Sequence, residues 1–144
     1  GLGGRPHSPV ARGVLPAKYA PDAPPPEDSR AARQDRRIMQ TEFRRESMLI
    51  ARTLQTHALA RGITPGQFAF AWVLNNRLVT SVIAGPRTEA HLRDYLGALS
   101  YRFTAEDEAV VDSLVQPGHP STPGYTDPHD PVPGRIPNPR GHPA

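Results

Sequence analysis

The residues best suited to chemistry in this chain sit in one turn. Ala84-Gly85-Pro86-Arg87-Thr88 follows the short β-branched run Val79–Ile83 and precedes a helical pattern. A glycine at such a turn lets backbone approach a ligand closely. The free N–H groups of a helix start point at the place an anion would occupy. Arg87 adds a planar fork of donors that matches a phosphate monoester. His91, Asp94 and Tyr95 lie three, six and seven residues beyond Thr88, which places them on the same upper face of that helix. The chemistry offered is recognition of a phosphorylated ligand. The same spacing also fits an ordinary strand-to-helix turn with a surface arginine.

Other catalytic patterns are missing. The six histidines show no metal-ligand spacing. His119, His129 and His142 stand apart in a proline-rich tail and read as solvated, and His57 reads as a helix-surface residue. There is no HExxH, no Gly-x-Ser-x-Gly and no Walker sequence. With no cysteine, disulfides and thiolate metal sites are excluded, which fits a reducing compartment, and the expected location is the cytoplasm. No apolar run reaches the length of a membrane span, and no signal-peptide pattern opens the sequence. The net charge of +3 permits an anionic ligand but is too mild to demand nucleic acid. Arg30, Arg33, Arg36 and Arg37 are interspersed with Glu27, Asp28, Asp35 and Glu42 and read as a solvated, ion-paired face.

The elements that must position the turn are marked by caps and apolar periods. Ser29 is a candidate N-cap for a short polar helix to about Gln40. A longer helix is predicted from about Arg45 to Arg61, with Ile50, Leu54 and Ala58 in a stripe widened by Met48, Ala51 and Leu59, and Gly62 as its stop. Thr64, Pro65 and Gln67 spell a capping box with proline at the first helical position, and Ile63 with Phe68 forms a hydrophobic staple. Phe68, Ala71, Trp72 and Leu74 give that helix its apolar face, and Asn75-Asn76 ends it. Val79–Ile83 reads as a buried strand. Thr88 caps a helix whose apolar side is Leu92, Leu96 and Leu99, and Thr104 caps a last one carrying Val110, Val111 and Leu114. Helix, strand and helix joined by short connections indicate an α/β fold.

The prolines divide the chain. Of 18, seven fall within residues 1–26 and nine within residues 117–143. Three parts are expected: 1–28, a strand end and proline-rich loop; 29–116, the α/β segment; and 117–144, an extended or disordered tail. The two strands expected at most cannot close a barrel or bury a parallel sheet.

The run Gln67–Leu99, QFAFAWVLNNRLVTSVIAGPRTEAHLRDYLGAL, resembles the end of an aldo-keto reductase. The resemblance extends from about His7 to Arg135 and is most specific over Thr64–Tyr101 and in PGHPSTPGY. It implies the C-terminal part of a (β/α)8 barrel, mostly helical within this chain, with NADP(H) as cofactor and a small carbonyl compound as substrate. By position, Gly85, Arg87 and Thr88 correspond to the loop for the adenosine 2′-phosphate. His91 falls where the family has Gln or Arg, and Asp94 where it has Glu or Asp. Tyr95 replaces an adenine-contacting Asn and is placed to stack on the base instead. His7-Ser8-Pro9-Val10 matches the family's Tyr-Ser-Pro-Leu segment, so Ser8 and Val10 correspond to backbone contacts with the pyrophosphate. Arg12, Gly13 and Lys18 continue that loop, and Arg30 stands where some members place an arginine on the cofactor. The sites fall at the C-terminal ends of barrel strands.

The family's catalytic aspartate, tyrosine, lysine and histidine belong upstream of the matched segment, so no catalytic residue is expected here. The chain opens with Gly1 rather than methionine, as a fragment or processed product would. Alone it is expected to show no turnover and to expose Phe68, Trp72, Val82 and Leu96, leaving it partly molten or aggregating. The alternatives are an inactive remnant, a module that only binds nucleotide, or a small basic helical module for nucleic acid carrying Arg77, Arg87 and Arg93.

Overall fold

The structure is a computed structural model and describes residues 3–117 and 136–138. In chain order the helices are α1 (Arg36–Thr41), α2 (Arg45–Ala60), α3 (Pro65–Leu74), α4 (Glu89–Gly97) and α5 (Ala105–Leu114), with 3-10 turns at Ala11–Gly13 and Ala98–Ser100. The expected tail beyond Pro117 lies outside the described residues, apart from Ile136–Asn138.

Local capping explains most boundaries. Gly62 ends α2 at φ +76°, a conformation that costs glycine little. At α3, Thr64 Oγ1 accepts from Gln67 N at 3.0 Å, and Gln67 Oε1 accepts from Thr64 N at 3.1 Å. Thr104 and Asp107 form a second capping box on α5. The helix expected from Ser29 to Gln40 is shorter. Buried Ser29 does accept from Ala32 N at 3.0 Å, but turns follow, and Gln34 sits at φ +49°. Asp35 then recaps the chain by accepting from Arg37 N and Ile38 N.

α2 runs between two apolar clusters. Its Met48 and Ala51 pack with Val14, Tyr19, Ala31 and Ile38. Its Leu54 and Ala58 pack with Phe68, Ala71 and Phe103, joined at the rim by Ile63, Trp72, Val110 and Leu114. Phe68 is 2% exposed, so the expectation that this short chain would leave it uncovered is wrong. Its covering comes from α2 and Phe103, not from a distant part of a barrel.

The expected strand Val79–Ile83 does not form as a strand. Isolated parallel bridges pair Gly4 with Val79 and His7 with Ile83. Thr80 N donates to Gly4 O and Ile83 N to Pro6 O, each at 2.9 Å. These donors are three residues apart while their acceptors are two apart, so the ladder slips by one residue between the bridges. A parallel pair is stable when both faces are covered, and here Ile83 is 56% exposed. Leu92 and Leu96 of α4 and Leu99 of the 3-10 turn after it are all exposed, as was expected of Leu96, and no residue of α4 is buried.

Candidate functional site

The parallel bridges carry the two candidate loops to one end of the molecule. After His7 the chain turns through Ser8 and Val10, and after Ile83 it turns through Gly85–Thr88. Because the paired segments run the same way, both loops leave from the same end. Four residues of the first loop that are not glycine, Ser8, Ala11, Arg12 and Ala17, have φ between +45° and +57°. Such left-handed conformations cost free energy and persist where surrounding structure holds them. Here Ser8 O accepts from Ala11 N and Val10 O from Gly13 N, both at 2.9 Å. His7 Nδ1 lies 3.1 Å from Ser8 Oγ.

At the second loop, Thr88 caps α4 by accepting from His91 N at 3.2 Å. A Cβ built on Gly85 would meet nothing within 4 Å, so the turn faces open space. Arg87 is exposed and makes no ion pair among the described residues. Glu89, the nearby carboxylate, is engaged by Arg93 at 2.6 Å. An anion can therefore meet helix N–H groups and a guanidinium here with little opposition from Glu89.

The three residues expected on one face of α4 divide. His91 is exposed. Asp94 turns onto α3, where its Oδ1 accepts from Thr64 Oγ1 at 2.8 Å. Tyr95 stacks on Phe70 with ring centroids 4.4 Å apart, and the His91 ring lies 6.2 Å beyond at an interplanar angle of 15°. Phe70 thus covers one face of the ring expected to receive a base. Burial raises the Tyr95 phenol above its ordinary pKa, and the Asp94 charge adds to the rise.

Of the other expected site residues, Arg12 pairs with Glu42 and reaches Thr41 Oγ1 at 3.4 Å, so its charge is spent on the end of α1. Lys18 is exposed, its stem beside Gly13, where a built Cβ would lie 3.6 Å from Lys18 Cδ. Arg30 is exposed, 3.8 Å from Asp35. No described hydrogen bond or ion pair joins Arg12, Lys18 or Arg30 to the Gly85–Thr88 turn.

Residues 1–116 match the profile of the Aldo/keto reductase family. The chain belongs to the aldo/keto reductase family. Membership implies a (β/α)8 barrel as the parent fold and an oxidoreductase lineage, and aldo-keto reductases generally use NAD(P)H. The chain is 32% identical over 125 residues to the L-glyceraldehyde 3-phosphate reductase of Escherichia coli O157:H7, covering 82% of this chain and 35% of that protein. It is 30% identical over the same length to the protein of that name from E. coli strain K12. It is 31% identical over 111 residues to aldo-keto reductase str7 of Strobilurus tenacellus, covering 76% of this chain and 32% of that one. The chain thus spans about a third of the length of these curated relatives. Within this aldo/keto reductase segment the described residues hold no strand, only bridges. No described helix is long and apolar enough to cross a membrane.

A second polar cluster in this aldo/keto reductase segment escaped sequence reading. His57, expected on the helix surface, is partly exposed, yet its Nε2 lies 2.7 Å from Asp107 Oδ1, and the Asp107 side chain is 0% exposed. Tyr101 Oη donates to Asp107 Oδ2 at 2.9 Å, and Arg61 Nε stands 3.3 Å from Oδ1. Burial pushes the Tyr101 phenol up to about 12, with the Asp107 hydrogen bond adding to it. Burial works to raise the Asp107 carboxyl, yet bonds from Thr104, His57 and Tyr101 outweigh it and hold the carboxyl below its ordinary value. Fifty residues separate His57 from Asp107, and no local pattern links them. The one sequence signal was the Thr104–Asp107 capping box, which marked Asp107 but not its histidine.

Proposed function

We infer that this chain is the cofactor-gripping C-terminal segment of an NADP-dependent aldo/keto reductase. The observation that carries this reading is the parallel pairing of His7 with Ile83, which sends the Ser8–Val10 loop and the Gly85–Thr88 turn out from one end. In this reading Arg87, Thr88 and the first N–H groups of α4 bind the 2′-phosphate. Gly85 leaves room for the ligand, as the open space over its Cα supports. Ser8 and Val10 present backbone to the pyrophosphate, with exposed Lys18 on that side, whereas Arg12 is taken by Glu42 and Arg30 faces Asp35. His91 meets the adenosine end, while Tyr95 and Asp94 support it from behind.

The bound cofactor would supply a hydride to the carbonyl carbon of a small aldehyde or ketone. This chain's residues bind and orient that cofactor; the proton donor and the rest of the catalytic set lie upstream, in a part of the barrel these residues do not include. A cytoplasmic location accompanies the reading. The L-glyceraldehyde 3-phosphate named for two relatives makes a small phosphorylated aldehyde the first substrate to try with the longer protein.

The test is nucleotide binding by the chain, measured by fluorescence or calorimetry. NADPH is expected to bind more tightly than NADH. Arg87→Ala removes charge-assisted bonds and should weaken NADPH about 10- to 100-fold while leaving NADH within about twofold. Equal binding of the two nucleotides by the unaltered chain would overturn the 2′-phosphate assignment. Carbonyl-dependent NADPH oxidation by the chain alone would overturn the placement of the catalytic set upstream.

A further inference from the structure

α4 carries the phosphate-facing turn at its start, and its seat on α3 decides where that turn lies. Two side chains cross in opposite directions between these helices. From α4, Asp94 Oδ1 accepts from Thr64 Oγ1 at 2.8 Å. Asp94 Oδ2 fills the space over buried Gly66, where an added Cβ would meet it at 2.7 Å. From α3, the Gln67 amide fills the space over Gly97, where an added Cβ would collide with its Nε2. Both α3 partners already hold their own helix start, since Thr64 and Gln67 form the capping box. A carboxylate at the first turn of α3 is further favoured by that helix's dipole. Asp94 Oδ1 is thus bonded at the start of α3, and Oδ2 lies packed over Gly66.

We propose that Asp94 is a positioning residue for cofactor discrimination. It seats α4, and with it Arg87 and the Gly85–Thr88 turn, by binding Thr64 at the start of α3, and it makes no contact with the ligand. The proposal rests on the NADP reading above. It separates from a direct contact by simple chemistry. NADPH and NADH share the adenine, so a side chain touching the base changes both affinities alike. A side chain that sets the seat of the 2′-phosphate loop weakens NADPH more than NADH, which lacks that phosphate.

The experiment measures NADPH and NADH dissociation constants for the chain and for Asp94→Ala, Asp94→Asn, Thr64→Ala and the double variant Asp94→Ala/Thr64→Ala, with Arg87→Ala alongside. Asp94→Ala is expected to weaken NADPH about tenfold and NADH by less than about twofold. Asp94→Asn keeps an acceptor for Thr64 Oγ1 and should hold the nucleotide preference near that of the unaltered chain. In the double variant, the two losses should not add, because both remove one bond. Should Asp94→Ala not fold, Asp94→Glu keeps the charge, shifts the seat by one methylene and should lower the NADPH-to-NADH preference. Equal weakening of both nucleotides, or additive losses, would overturn the proposal in favour of direct contact. A neutral Asp94→Ala beside a damaging Arg87→Ala would overturn it while sparing the NADP reading. A neutral Arg87→Ala, or no NADPH binding at all, removes the reading and the proposal together.

Discussion

Asp107 shows how a single carboxylate can tie the end of one helix to the start of another. It accepts from Thr104 at the start of α5 and from Tyr101, and it meets His57 and Arg61 from α2 and the turn beyond it. Its carboxyl is held below its ordinary pKa of 3.8, so the stability it contributes is present above that pH and is lost as pH falls through the folded value. Asp107→Asn should cost about 2 kcal/mol at neutral pH, because it replaces one acceptor oxygen of the buried carboxylate by a donor that faces other donors. It should also flatten the acid limb of stability, as read by urea unfolding at pH 7 and pH 3. Tyr101 acts at the other end of the scale. Unfolded it loses its proton near 10.0, folded only near 12, so the folded state binds more protons in that window. Stability should therefore fall as pH rises from about 10 to about 12, and Tyr101→Phe should lessen that fall, leaving the part owed to the raised Tyr95 phenol.

Among the elements, the first turn of α3 and the last turns of α4 depend on each other through Asp94, Gln67 and a glycine on each helix. Gly97 has no positive φ to demand glycine; what demands it is the Gln67 amide over its Cα. Gln67 is the flexible partner, but moving it breaks its bond to Thr64 N. Gly97→Ala should therefore destabilise the chain by about 1 kcal/mol, the usual value of a lost cap, although alanine is the better helix former. Thermal unfolding of Gly97→Ala checks this, and a gain in stability would mean that Gln67 relocates without loss. At the far end of α3, Asn75 Nδ2 donates to Glu108 Oε1 at 2.7 Å, joining the helix to α5 in a buried contact. Asn138 N donates to Asn75 O at 2.8 Å, so the last described residues return to the same place.

Across the whole molecule, the apolar surface is unevenly covered. The two clusters along α2 are closed, while Ile83 and the leucines of α4 are open, with Leu96 54% exposed. A segment spanning about a third of its relatives' length fits that division if the open side meets the rest of a barrel. Leu96→Glu then has opposite outcomes in two settings. In this chain alone it should change stability by less than about 0.5 kcal/mol, as a surface substitution does. In a protein of the relatives' full length it should cost about 2 kcal/mol or more, as a buried apolar position does. Equal, small effects in both would show that the leucine side of α4 stays in solvent throughout.

The helix ends were legible in the sequence because capping is local. Thr64 with Gln67, Thr88 with His91 and Thr104 with Asp107 each satisfy N–H groups within three residues, so their types and spacing were enough. The Gly62 stop of α2 was legible in the same way, since the left-handed residue after a helix favours glycine, whereas α2 begins at Arg45 with no side-chain cap and was read from its apolar stripe. Only the tertiary structure decided what depends on distant neighbours. It left Val79–Ile83 as bridges, since a parallel pair needs covering on both faces and further strands beside it. It turned Asp94 and Tyr95 inward and left His91 outward, although helical spacing alone gives all three one face. It tied Arg12 to Glu42 and His57 to Asp107, partners 30 and 50 residues apart in the chain. Such pairs form because burial makes an unmatched charge costly, and which partner answers is set by how the helices pack.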